Sequence, residues 1–283
     1  MRTALLFPGQ GSQAPGMRDL VEASRPDLLE LAIAEVGEDP FPRVDDGTRF
    51  AQPALYCASI ALWTDAGRPG ADFVAGHSLG EVAALVAAGS LDGEDGLRLA
   101  AQRGRLMQRA AEVSPPGGML ALLGDDAIAR EVAAARSLTV ANDNAPGQLV
   151  LSGADEDLEA AAEAGKARGL KAVRLQVQGA FHSPAMAPVV PELAAALAEL
   201  ALREPTVPVL SSITTRPFDD VRRRLAEALV RPVRWRETLL ALHRSGVRRY
   251  LEVGPGKVLK GLVRRTLPDV EAVTLAELEV AHA

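Results

Sequence analysis

The chain has 283 residues, of which 48% are apolar, 24% charged and 4% aromatic, and its net charge is −6. That length can bury a large core, and the scarcity of aromatics rests the core on Ala, Leu and Val. No run approaches the ~18 apolar residues of a membrane span, the apolar part of MRTALLFPGQ is too short for a secretory signal, and the single cysteine, Cys57, excludes an internal disulfide, so a cytoplasmic protein is expected.

In chain order, TALLF (3–7) reads as a buried strand, PGQGSQ as a loop, and the residues up to about Val36 as helical. Residues 37–51, rich in Pro, Gly and Asp, read as a loop. QPALYCASIALWTDAG (52–67) is a helix stopped at Gly67, with Cys57 as core packing. DFVAG (72–76) is a strand, and a helical pattern begins directly after Ser78. DGEDGLRLAAQRGRLMQRAAEV carries acids at its start and arginines further on, the charge order that a helix dipole favours.

SPPGG (114–118) breaks the pattern. Beyond it come a strand (MLALLG), a helix (DDAIAREVAAAR), two strands joined by a turn (LTVAND and QLVLSG), a helix (DEDLEAAAEAGKARG) and a strand (LKAVRLQV). This β-α-β-β-α-β order is the signature of a ferredoxin-like unit. The main rhythm then resumes with a helix after the prolines of PAMAPVVPELAAALAELAL and with strands TVPVLSSI, VRRYLEV and VEAVTL separated by helices. Apolar strands alternating with helices predict a mostly parallel sheet covered on both faces. The expected architecture is α/β: a large unit of 1–116 and 178–283, resembling the α/β-hydrolase core, with a small ferredoxin-like unit inserted at 117–177.

Gly76-His77-Ser78-Leu79-Gly80 matches G-x-S-x-G, the nucleophile elbow. A serine on a tight strand-to-helix turn presents its Oγ above the sheet, and flanking glycines let the turn close. A serine hydroxyl needs a base. His77 adjoins the serine and should project elsewhere. His243 sits near a helix end, and His282 lies in the tail. His182, in GAFHSP, follows the last strand of the small unit, where a side chain can face a cleft. Four scattered histidines and one cysteine give no metal-ligand spacing.

FPGQGSQ (7–13), GHSLGE (76–81), QRGRLM (102–107), ANDNAPGQLVLSG (141–153), GAFHSP (179–184) and EVGPGKVL (252–259) occur in this order. Together they resemble the malonyl-CoA:acyl carrier protein transacylases of fatty acid and polyketide synthesis, over almost the whole chain. The resemblance implies that Ser78 forms a malonyl ester, with His182 as general base and then acid. It implies backbone N–H groups of Gln10 and Leu79 as the oxyanion hole, and Arg103 as receiver of the free malonyl carboxylate. An arginine fork suits that task, since it pairs both carboxylate oxygens. Phe181 matches a position where bulk goes with malonyl rather than methylmalonyl. Asn142 matches a pocket-side position and Gln148 a packing one. Ala228 stands where relatives often carry Gln or Asn, associated with orienting the histidine, and SSIT (211–214) lacks the asparagine common after that strand.

The resemblance implies no cofactor beyond the substrates malonyl-CoA and carrier-bound phosphopantetheine. It implies an acidic acyl carrier protein as partner, with no nucleic acid and no membrane; a monomer is expected. From Arg216 to Pro268 there are 14 basic and 5 acidic residues, a local +9 that leaves −15 for the rest of the net −6. Such a face attracts acidic partners, and Arg222, Arg223, Arg224, Lys257 and Lys260 are the candidate docking residues. Two other readings keep the elbow: a serine thioesterase or hydrolase, and the malonyl transferase of a malonate decarboxylase system. A non-catalytic docking module is the remaining alternative.

Overall fold

The structure is a computed structural model that describes residues 1–282, with side chains described through Leu278. The reading of His282 lies outside those side chains. The first strand, β1 (Arg2–Phe7), is flanked by β2 (Phe73–Gly76) on one side and β8 (Val247–Glu252) on the other. Beyond them lie β7 (Val209–Leu210) and β9 (Glu271–Thr274), giving the order β7-β2-β1-β8-β9. Every pairing is parallel. Helices supply the crossovers: α1 (Met17–Ser24), α2 (Pro26–Val36) and α3 (Thr48–Asp65) between β1 and β2, then α4 (Gly80–Ala87) and α5 (Gly93–Val113) after β2. Ala4, Leu5, Leu6 and Phe7 are all buried, with Leu5 and Phe7 in one core cluster and Ala4 and Leu6 in another. Alternation along β1 therefore feeds both faces of the sheet, as a strand covered on both sides must.

Four further strands form the second sheet: β3 (Gly117–Leu123), β4 (Thr139–Ala145), β5 (Gln148–Ala154) and β6 (Lys171–Arg174), in the order β4-β5-β3-β6 and antiparallel throughout. With α6 (Asp126–Ala135) and α7 (Asp155–Ala167) this is the ferredoxin-like arrangement. Its strands also serve two cores. Leu120, Leu122, Leu149 and Leu151 pack with α6 and α7, whereas Met119, Ala121 and Val150 join the main core. The period of two along β3, β4 and β5 thus welds the small sheet onto the large one.

The chain closes with α8 (Val190–Ala198), α9 (Val221–Glu227), α10 (Trp235–Arg244), α11 (Val258–Thr266) and α12 (Leu275–His282). Several boundaries differ from the sequence expectation, for local reasons. The helical stretch before Val36 is two helices, split at Arg25 ahead of Pro26. The loop expected over 37–51 is interrupted by a 3-10 turn at Phe41–Arg43, and α3 starts at Thr48. Phe50 and Ala51 both donate to the Gly47 carbonyl, so the helix is already formed before Pro53. LKAVRLQV keeps only Lys171–Arg174 as strand. After Leu175 donates to the Met119 carbonyl, the chain leaves β3, and Leu175, Gln176 and Val177 line a groove instead. Likewise only two residues of TVPVLSSI pair as strand; Ser211 and Ser212 turn away and are wholly buried.

Candidate active site

Phe7 and Gly76 are paired at the carboxyl ends of β1 and β2. Ligands bind at this end of an open parallel sheet, where neighbouring strands lead to opposite sides. The loop after β1 delivers Gln10, and the turn after β2 delivers Ser78. Ser78 has φ of 54°, in the left-handed region that a residue with a Cβ rarely occupies. The glycines around it are sterically compelled. A Cβ on Gly80 would lie 2.0 Å from the Phe7 carbonyl oxygen, and one on Gly76 would lie 2.0 Å from the Glu81 nitrogen. The elbow of the sequence motif is therefore a real strained turn between strand and helix.

His182 lies 104 residues further on and also has a left-handed φ, 55°. Its Nε2 is 2.8 Å from Ser78 Oγ, and its Nδ1 is 2.8 Å from the Ala228 carbonyl oxygen. A carbonyl can only accept, so Nδ1 carries the proton and Nε2 offers its lone pair to the serine hydroxyl. The main chain at Ala228 thus orients the ring without a side-chain amide. Burial, and next the nearby Arg103 charge, push His182 down to about 3, so its ring is neutral across the physiological range.

Arg103, on α5, is 5% exposed. Its Nη2 donates to Ser78 Oγ at 3.0 Å and its Nη1 to Gln52 Oε1 at 2.8 Å. Gln52 Nε2 donates to Thr48 Oγ1 at 2.8 Å, and Thr48 Oγ1 donates to Gln10 Oε1 at 2.6 Å. The guanidinium and the Gln10 loop are joined by this relay, which the sequence reading missed. Its signal was there: Thr48 and Gln52 stand four residues apart, polar positions on one face of a helix whose residues 50–61 are otherwise buried and, Ser59 apart, apolar. Burial lowers Arg103 to about 10, opposed by the charge of Glu81, so it remains a cation at neutral pH.

Ser78, His182, Gln10, Leu79, Phe181 and Asn142 all line one cavity of about 80 Å³, with Met107, Met119, Leu175 and Val177 as its apolar wall. Gln10, Leu175, Val177 and Phe181 also line a groove of about 470 Å³ leading away from it. Among the described residues, the backbone N–H groups of Gln10 and Leu79 are engaged by no internal acceptor. Asn142 is 9% exposed and its Oδ1 has no partner. Gln148 lies elsewhere, accepting from Arg265 at 2.8 Å. His77 also borders the cavity, but its Nε2 donates to Asn144 Oδ1 at 2.9 Å and its ring meets Trp235 edge-on, so its polar atom is already engaged away from Ser78. His243 sits in the last turn of α10.

The model of the acyl transferase domain matches residues 29–279. The chain belongs to the acyl transferase domain family. Among relatives, the malonyl CoA-acyl carrier protein transacylase of Escherichia coli strain K12 is 39% identical over 296 residues, covering 97% of this chain and 96% of that protein. The polyketide biosynthesis protein ThaF of Burkholderia thailandensis is 41% identical over 286 residues; the match covers 94% of this chain but only 24% of ThaF. Among solved structures, the malonyl CoA-acyl carrier protein transacylase of Coxiella burnetii superposes with a TM-score of 0.90 at 33% identity, covering 100% of this chain and 96% of that one. The corresponding transacylase of Xanthomonas oryzae pv. oryzae gives 0.90 at 36% identity, covering 99% and 97%. The resemblance carried by the six motifs is borne out, and so is the α/β fold with its added antiparallel sheet. No described helix is long and apolar enough to cross a membrane.

Proposed function

We propose that this acyltransferase moves a malonyl group from malonyl-CoA, through an ester on Ser78, to the phosphopantetheine thiol of an acyl carrier protein in fatty acid or polyketide synthesis. The observation that supports it most is a guanidinium, Arg103, buried beside the nucleophile and bonded to its Oγ. A hydrolase of neutral esters has no use for such a cation, whereas an acyl group with its own carboxylate needs one.

In this reading His182 Nε2 takes the proton of Ser78 as Oγ attacks the thioester carbonyl. The tetrahedral oxyanion is received by the Gln10 and Leu79 N–H groups, preset donors of the kind that stabilise growing charge. Collapse breaks the C–S bond, and the leaving sulfur of coenzyme A regains a proton from His182. The carrier thiol then gives its proton to His182 and attacks the ester, and Ser78 Oγ leaves with that proton. Arg103 pairs with the distal carboxylate. Phe181 closes the wall where an α-methyl would extend, and the unpartnered Asn142 Oδ1 is an acceptor for a substrate N–H. The chemistry needs no cofactor beyond the two thiol-bearing substrates.

The unit of 117–177, inserted into a catalytic unit of 1–116 and 178–283, supplies Met119, Asn142, Leu175 and Val177 to the cavity. On this reading it is the second jaw of the cleft. Intact-protein mass after brief mixing with malonyl-CoA tests the proposal. A malonyl adduct on the native chain, absent from Ser78→Ala and passed on to added carrier protein, is the expected result. Free malonate in place of carrier acylation would point to a hydrolase, and no adduct at all would overturn the malonyl reading.

A further inference from the structure

Glu81 is a carboxylic side chain that the transfer mechanism leaves unused, yet it is 1% exposed and three residues from the nucleophile. Burying such a group is costly unless it is bonded. Its Oε1 accepts from the backbone N–H of Ser212 at 2.6 Å and from the Ser212 hydroxyl at 3.0 Å. Its own backbone N–H donates to the Ser78 carbonyl at 3.1 Å. One residue therefore grips the elbow with its main chain and the segment after β7 with its side chain.

Ser212 passes the grip on. Its carbonyl accepts from the Arg234 N–H at 2.8 Å. The adjacent Val233 donates to the Ala141 carbonyl at 2.8 Å and accepts from Asp143 at 2.9 Å, which fixes this stretch to β4 beside Asn142. Upstream in the same stretch lies Ala228, whose carbonyl holds His182. The nucleophile's turn is thus joined by hydrogen bonds to Arg234, and the six residues of main chain from Ala228 to Val233 lead from there back to the base's anchor, with Ser212, 0% exposed, as the middle peg.

We propose that Glu81 is a positioning residue for acyl transfer, holding Ser212 and through it the Ala228–Arg234 segment in the register that aims His182 at Ser78. The kinetic part of this inference rests on the malonyl-transfer reading; the geometric part does not. Truncation to alanine orphans the buried Ser212 N–H and frees the segment, while glutamine keeps an acceptor in place.

The experiment compares Glu81→Ala, Glu81→Gln and Ser212→Ala, each first checked for a native circular dichroism spectrum. In protein labelled with 15N-histidine, the Nδ1–H resonance of His182 reports its bond to Ala228 and needs no substrate. Glu81→Ala is expected to shift or erase it, and to lower kcat for malonyl transfer roughly 10- to 100-fold with KM within about threefold, the scale of a misplaced catalytic group. Glu81→Gln is expected to restore the resonance and most of kcat. An unchanged resonance, a loss carried by KM alone, or glutamine as damaging as alanine would overturn the proposal. Should Glu81→Ala not fold, Ser212→Ala, which removes only the hydroxyl bond, carries the test: a partial shift and a smaller fall in kcat support it, and native values overturn it. A native chain that transfers no malonyl would count against the functional reading, while the resonance would still decide the positioning.

Discussion

At the scale of single residues, the site is a set of groups placed where water is scarce. Arg103 has lost most of its hydration and, among the described residues, holds only Gln52 and Ser78 in return. In the proposed reading a carboxylate on the acyl group would complete its pairing, and an acetyl group, lacking one, would leave it short. Arg103→Ala is therefore expected to lower malonyl loading of Ser78 by roughly 10- to 100-fold more than acetyl loading, the worth of a hydrogen bond to a charged group. Acetyl loading falls too, since Ser78 also loses a donor. The ratio of the two adducts by mass spectrometry is the measurement, and equal losses would remove the carboxylate-clamp role. Other residues were legible less evenly. Ser78 stood out because a strained turn needs glycines in a fixed pattern, and that pattern is local. His182 was singled out by elimination and resemblance, because nothing near it in sequence shows that residue 228 would hold its ring. Glu81 was visible in GHSLGE but without a role, since its partner Ser212 lies 131 residues away.

At the scale of elements, the strands and helices followed their periodicity wherever burial was regular, and departed from it wherever the chain serves the cleft. β6 stops short because Leu175 and Val177 are wanted as wall, and β7 because Ser211 and Ser212 are wanted under the elbow. Period-two patterning records that a residue is buried but not against what, so LKAVRLQV and TVPVLSSI read as longer strands than they form. The elbow is the opposite case, since its backbone path is dictated by contacts that only glycine allows. Gly80→Ala would place a methyl 2.0 Å from the Phe7 carbonyl oxygen, backbone against backbone. We expect it to abolish Ser78 acylation and to destabilise the fold by about 1–3 kcal/mol or more, the cost of overpacking a well-filled core. Urea titration with an acylation assay checks both; native acylation in Gly80→Ala would show that the turn can open without loss of function.

On the scale of the whole molecule, the basic stretch after Arg216 looks different in three dimensions than in sequence. Arg222 is bonded to the Leu197 and Leu200 carbonyls, Arg223 to Asp219, Arg224 to Asp219 and Glu227, and Lys260 to Glu277. Four of the five candidate docking residues are thus already spent on internal partners. Lys257 is the exception: it is exposed, and among the described residues it has no acidic partner. Its neighbour Gly256 lies against Ser12, and Gly254 lies against Pro8, so the loop that carries Lys257 packs on the loop that carries Gln10. We propose that this cation, on a loop that touches the one delivering Gln10, meets an acidic carrier presenting its thiol. Transfer from acyl-Ser78 to the carrier should therefore weaken with salt more steeply than self-acylation, because screening acts on exposed charges beyond about 10 Å at 0.1 M. Lys257→Ala should raise KM for the carrier by severalfold and flatten that salt dependence, leaving the rate of Ser78 acylation by malonyl-CoA unchanged, since rim charges act mainly on encounter. Stopped acylation assays with and without carrier, across a salt series, measure both arms. A transfer step indifferent to salt would take charge out of carrier docking altogether, and a steep salt dependence unchanged in Lys257→Ala would move the docking face to other exposed cations of the same stretch, such as Arg216 and Arg244.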